Sequence, residues 1–513
     1  MGSAPGDAVP ASAAADPKSW PVWWRICMLA SLCWFVMMGQ VMSASVPPML
    51  GLIIQELHVT PAEASRLASF AVLALGFGNI WAVPMVAHIG GRYTMISGLT
   101  VFTVCFFWQA AAQTYDSLLA ARLVGGLGGG VVESMGPMIV VMLFPQEYIG
   151  RAMSVYTWSL GAGAVFGPLF AGYMIEGLGS WRYPQYLFGA MSALNMVSCL
   201  VMFPEPVANI RMIGEPPLAP ASKIGPQSHE LELIGSKDAT TSQEQELGPS
   251  IVPAEEYPPT SWTDIWSRRS FFIRFVHHRP PGGWLATLVT PYRLLATPAV
   301  LITVLIFGVS ISTTIAVSIL VSLTFSLPPL MWSSGLVGLF NISVLVGLSA
   351  GIPIGGIMAD KLIARFSRRN GYHKPEASLP LLVPLAISTP ISTALVGYGL
   401  ANQWHWAAIG VFWALINVNL TGGCTILISY ATDIYPEKAI DIGVVVNVLK
   451  NTIAAGISFG LVDWWLKAGW YMFLALAFIQ VAIFLAVAPM WFYGAKITSI
   501  TRSWAWLQRG DLN

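Results

Sequence analysis

The chain has 513 residues, of which 55% are apolar and 10% charged, with a mean hydropathy of +0.65. Soluble proteins carry roughly 25% charged residues, so a soluble globular fold is excluded and an all-α polytopic membrane protein is indicated. The formal charge of +1 is uninformative about partners, and no basic block points to nucleic acid, so no nucleic-acid partner is expected. Residues 1–23 open the chain with an Ala-, Pro- and Ser-rich stretch, expected to be disordered and lacking the layout of a cleavable signal. A membrane-spanning helix needs about 20 mostly apolar residues. Such stretches fall at 24–47, 64–87, 95–113, 117–143, 151–175 and 181–203, and then at 299–323, 334–358, 379–400, 406–430, 441–462 and 470–493. The pattern is six spans, a break, and six more.

The break, 204–298, is different material. Its first part is polar, Pro- and Glu-rich, and too poor in apolar residues to fold alone. Its second part mixes Trp262, Trp266, Phe271 and Phe275 with Arg268, Arg269 and Arg274, which predicts an interfacial amphipathic helix over 262–279. A tail, 494–513, closes the chain. The two sets of spans predict two six-helix bundles, 24–203 and 299–493, each with a charged loop after its second span. All five cysteines lie in apolar spans, so no disulfide framework is expected.

Lys and Arg counts in short loops set the expected orientation. One side collects Arg92, Arg151, Lys361, Arg365, Arg368, Arg369, Lys374, Lys438, Lys496 and Arg502; the other holds Arg66, Arg182 and Lys467. The positive side is expected to be cytoplasmic, placing both termini inside a multi-pass cell-membrane protein.

The fourth span carries Arg122 and Glu133 amid glycines. On an ideal helix Arg122, Gly126, Gly129, Glu133 and Gly136 project into one narrow sector, which predicts a single glycine groove beside both charges. Eleven residues separate the two charges, roughly 16 Å of helix, so they are not expected to pair. An acid inside a span is costly and marks a functional site; Glu133 is the leading candidate to take a proton or a cationic group. In the eleventh span Asn447, Lys450 and Asn451 form a polar stripe with Ala454 and Ser458. Lys450 either faces a cavity or a carboxylate, or snorkels to the near surface. Gln40, Asn79, Ser310, Thr314, Asn341, Asn417 and Thr421 add polar groups to other spans.

The fifth span reads G-x-x-x-G-P-x-x-A-G through Gly163, Gly167, Pro168, Ala171 and Gly172. This resembles the antiporter motif of the major facilitator superfamily, in its twelve-span drug:proton antiporter branch. Leu118, Arg122 and Gly126 are similar to that family's fourth-span motif, whose arginine is associated with proton coupling. The stretches SRRNGYHKPEASLPLL and YATDIYPE, and the long polar break, resemble fungal members; an acid placed like Glu133 resembles the polyamine and histidinol-type cation transporters. After the second span the family's G-x-x-x-D-R-x-G-R-R is only partly kept. Gly90 and Arg92 match, while Val83 and Ala87 replace the glycine and the aspartate; the second-half counterpart keeps Gly356 and Asp360.

The resemblance implies a major facilitator fold and a monomeric carrier in the lipid bilayer. It implies a small-molecule substrate, protons as coupling ion, no metal and no cofactor. Export of a drug, toxin or secondary metabolite is expected, with organic-cation transport, import included, as the alternative and a transporter-like receptor as a remote one. An enzyme is not expected, since the seven histidines are scattered and no H-E-x-x-H occurs.

Overall fold

A computed structural model describes residues 20–203, 288–328, 330–370, 375–435 and 438–504. Residues 1–19 of the expected disordered start and the expected interfacial helix at 262–279 lie outside the described residues; at the end of that start, Val22 and Trp23 are instead already helical. Among the described residues, twelve helical segments are long and apolar enough to cross a membrane. They are α1 (Val22–Leu57), α2 (Pro61–Val86), α3 (Gly91–Ala111), α4 (Tyr115–Leu143), α5 (Arg151–Leu178), α6 (Arg182–Met202), α7 (Pro298–Phe325), α8 (Ser334–Arg369), α9 (Pro375–Ala401), α10 (Trp406–Ile434), α11 (Asp441–Phe459) and α12 (Tyr471–Arg502). Helices are the outcome that low-dielectric surroundings enforce, because each must satisfy its own backbone hydrogen bonds.

Three ends depart from the sequence reading. The first span does not stop at Pro47: a 3-10 turn, Pro47–Met49, leads into a further helix, Leu50–Leu57. A proline at the start of such a turn has no N–H to lose and a preset φ. The charged stretch after the eighth span is helical rather than a loop over Ala359–Asn370, with Leu362, Ile363 and Phe366 at helical spacing. The twelfth span runs on as Ala488–Arg502, so the first part of the expected tail is helix. Thr60 begins α2 with a capping box: its hydroxyl accepts from the Glu63 N–H at 3.2 Å and the Glu63 carboxylate accepts from the Thr60 N–H at 2.8 Å.

The packing repeats. In the first half α1 packs on α5, α2 on α4, and α3 on both α4 and α6. In the second half α7 packs on α11, α8 on α10, and α9 on both α10 and α12. Adding six to each number of the first set gives the second, so two six-helix bundles share one plan. The same operation exchanges the two main contacts between bundles, α2 on α11 and α5 on α8. All five cysteines are free thiols.

The α2–α4 contact shows why α4 is glycine-rich. A Cβ built on Gly130 would collide with the Leu75 carbonyl oxygen and lie 3.0 Å from the Gly78 Cα. Backbones approach that closely only without side chains. Gly130→Val is therefore expected to destabilise the protein by about 1–3 kcal/mol or more. Gly177→Ala, where nothing lies within 4 Å, should leave stability unchanged or slightly raised. Thermal unfolding of the detergent-solubilised chain checks this; equal melting temperatures for the two variants would refute the close-approach account.

Candidate functional site

The site lies where α4 of the first bundle meets α11 of the second. Glu133 and Lys450 form an ion pair across that junction, with Nζ 3.7 Å from Oε2 and side chains only 1% and 3% exposed. The lysine does not snorkel; its ammonium is over the Phe307 ring of α7, 4.8 Å from the centroid. Carboxamides supply the remaining donors. Gln40 of α1 donates to Oε1 at 2.7 Å, and Asn451 donates to Oε2 at 3.0 Å. Asn79 of α2 donates to Oε2 at 3.4 Å, and its own carbonyl accepts from the Ser134 hydroxyl at 2.5 Å. A carboxylate in low dielectric is tolerated only with this degree of satisfaction.

The backbone of Glu133 is also engaged. Pro137, four residues on, has no N–H to give the Glu133 carbonyl. Asn447 of α11 donates to that carbonyl at 3.0 Å. The Tyr156 hydroxyl of α5 reaches the preceding carbonyl, Val132, at 3.1 Å. The proline thus exposes an acceptor that the other bundle uses.

Small residues bring these groups within reach. Gly76 of α2 admits Asn451, whose Cβ would lie 2.9 Å from a Cβ built there. The fifth-span glycines work at two contacts. Gly163 packs on the Met37 carbonyl and the Gln40 Cβ, and Gly167 on Val41, so this end seats α1 and Gln40. The Pro168 carbonyl lies against Gly338, and Gly172 against the Ser334 carbonyl, so the other end meets α8 of the second bundle.

Among the predicted site residues, Glu133, Gln40, Asn447, Lys450 and Asn451 converge. Arg122 does not join them: its Nη1 donates to the Met42 carbonyl at 3.0 Å, nearer the end of the bundle opposite the termini. Asn417 also stands apart, accepting from Thr314 at 3.1 Å inside the second bundle. The single glycine groove is replaced by several contacts. Gly126 and Gly130 face α2, Gly128 and Gly129 face α3, and Gly136 faces Tyr156. The helix carries glycine all round because it has close neighbours all round.

Gly90, at φ 97°, makes the turn between α2 and α3 that a residue with a Cβ disfavours. Arg92 is buried, with Nη2 donating to the Leu200 carbonyl at 3.0 Å. Gly356 sits in a π-helical turn, Ile354–Met358, and Asp360 is exposed in the first turn of the helix beyond. Sequence reasoning did not assign Phe307, Ser134 or Tyr156 to the site. The one legible hint was Pro137, a fixed four residues after Glu133.

The pattern that describes the Major Facilitator Superfamily matches residues 26–460. The chain is 21% identical over 534 residues to "Protein HOL1" of Saccharomyces cerevisiae, covering 95% of this chain and 89% of that one. It is 24% identical over 462 residues to "Probable efflux pump mfs2" of Aspergillus flavus, covering 88% and 97%. Among solved structures it resembles the proton:xylose symporter XylE bound to 6-bromo-6-deoxy-D-glucose, with a TM-score of 0.58 and 15% identity over 92% of this chain and 96% of that one. That likeness establishes the fold alone.

Removing one member of a buried ion pair leaves the other charge uncompensated, at a cost of about 3–5 kcal/mol. Glu133→Gln and Lys450→Met should each lower stability to that extent. The double variant should recover most of the loss, because no charge is left stranded. Thermal unfolding of the four proteins forms the cycle; additive losses would mean the pair is not coupled.

Proposed function

Because this chain belongs to the Major Facilitator Superfamily, we propose that it is a proton-coupled secondary active transporter exporting small organic molecules by alternating access. The observation that carries this reading is the ion pair between Glu133 and Lys450, which ties one bundle to the other with a titratable group. Ionised, Glu133 accepts from Gln40, Asn79 and Asn451 and attracts Lys450. Protonated, it loses the Coulomb attraction and much of its acceptor strength, so the junction weakens on the side of α4 and α11. A shift from 1:99 to 99:1 between two states takes about 5.5 kcal/mol. Breaking a buried pair supplies about 3–5 kcal/mol of that, and binding of cargo would supply the rest.

Several features support export over import. Gly163, Gly167, Pro168 and Gly172 match the antiporter pattern, and the residues of that segment touch both α1 and α8. The A. flavus relative carries the name of an efflux pump. Both termini are read as cytoplasmic, because Lys and Arg concentrate in the loops on their side of the membrane; the carrier is read as a monomer in the cell membrane by its family resemblance.

One observation favours a second reading, an organic cation as cargo. Lys450 holds Oε2 at 3.7 Å, farther than the Asn451 amide at 3.0 Å. A cargo ammonium group could contest that position, and a proton would compete with it for the same carboxylate.

In proteoliposomes with an imposed pH gradient, Glu133→Gln, folded and inserted, should abolish gradient-driven transport. Glu133→Asp should retain part of it with an altered pH profile. Full gradient-driven transport by Glu133→Gln would sink the assigned role. Tracer efflux against uptake in intact cells distinguishes export from import.

A further inference from the structure

A second group of buried polar atoms lies inside the first bundle, apart from Glu133. It sits among α1, α3, α4 and α6, towards the end opposite the termini. Arg122 Nε, Ser45 Oγ, Gln109 Nε2 and Oε1, and Gln185 Oε1 are all buried without a hydrogen-bond partner. Buried polar side-chain atoms in native proteins are satisfied in the large majority. Several orphans in one region call for a ligand.

The packing brings them together. The Thr103 and Ser192 hydroxyls lie 2.8 Å apart and the Phe106 and Phe188 ring centroids 6.0 Å apart, which sets the antiparallel register of α3 and α6. The same register places Gln109 opposite Gln185, about one helical turn further on. Gln185 Nε2 reaches only the Met49 sulfur, at 3.4 Å, a weak acceptor. Ser45 lies one turn before Met49, and Met42, whose carbonyl accepts from Arg122, lies about one turn before that. Gly125, one turn from Arg122, packs on the Met42 side chain and on Cys105 of α3, one turn from Gln109.

Arg122 adds an independent requirement. It is 1% exposed, and no carboxylate among the described residues pairs with it. A guanidinium in an apolar interior with one carbonyl acceptor is far from solvated.

We infer that Gln109, Gln185, Ser45 and Arg122 enclose a pocket of bound water that solvates the Arg122 charge. The donor set decides the ligand. Arg122 Nε, Gln109 Nε2 and the Ser45 hydroxyl can donate, whereas Gln109 Oε1 and Gln185 Oε1 can only accept. An inorganic anion would satisfy the first group and repel the second; water serves both. Towards the nearby membrane face Trp181 and Arg182 close over the region, both donating to the Glu56 carboxylate, and Arg182 Nη2 also donates to the Ala112 carbonyl at 2.9 Å. On the other side Phe102 covers Gly129. The water therefore belongs to Arg122 and does not run on to Glu133.

Hydroxyl-radical footprinting of the full chain by X-ray pulse, read by mass spectrometry, tests this. Radicals formed from bound water oxidise adjacent methionines even where bulk solvent is excluded. Met42, Met49, Met95 and Met472 are each 0% exposed. Met42 and Met49 are expected to be oxidised about tenfold faster than Met95 and Met472. Replacing Gln109 and Gln185 together by Leu should bring Met42 and Met49 down to the rate of the other two. Equal rates for all four methionines in the unmodified chain would overturn the proposal, whether the pocket is dry or holds an anion. Undiminished oxidation in the double variant would overturn the assignment to the glutamines.

Discussion

The structure depends on one electrostatic constraint: a carboxylate that cannot be left alone. In surroundings of low dielectric, Glu133 requires a counter-charge and donors for both oxygens. The first bundle provides Gln40 and Asn79; the second provides Lys450 and Asn451. Neither bundle is complete without the other at this point. The junction of the two bundles is thereby centred on a single buried ion pair.

Everything that lets the pair form is a matter of backbone distance. Gly76 brings α2 against α11 so that Asn451 arrives beside α4. Gly163 seats Gln40. The same helix, one and a half turns further on, meets α8 through Pro168 and Gly172. A glycine-proline segment that looks like one packing motif thus has an internal end and an inter-bundle end. At the face opposite the termini the bundles are joined again. Arg66 lies 3.7 Å from Asp463 and 5.0 Å above the Phe459 ring, and the Ser333 hydroxyl donates to Glu176 at 3.0 Å.

Hydropathy alone located all twelve spans, because lipid leaves no other option for 20 apolar residues. Their ends were harder. Pro47 reads as a terminator although a proline opening a 3-10 turn costs nothing, and Lys361, Arg365, Arg368 and Arg369 hide the apolar periodicity of a continuing helix. Glu133 was legible as an unusual acid. Its partner was not, since the pairing joins α4 to α11 across the whole intervening chain and no local pattern encodes such a contact. The helical wheel also misplaced the glycines of α4: it gives directions around one axis and says nothing of how many neighbours surround it. Arg122 and Asn417 drew attention for sound chemical reasons, but Asn417 bonds within the second bundle and Arg122 reaches the Met42 carbonyl rather than Glu133.

The bond from Asn447 to the Glu133 carbonyl has a separate consequence. A peptide oxygen does not titrate, and Pro137 ensures that it keeps no helical donor of its own. When the side chain changes charge, this contact is indifferent to the change. The junction therefore holds two kinds of attachment a residue's width apart, one carried by charge and one by the peptide. A substitution of the Glu133 side chain removes the first and leaves the second in place.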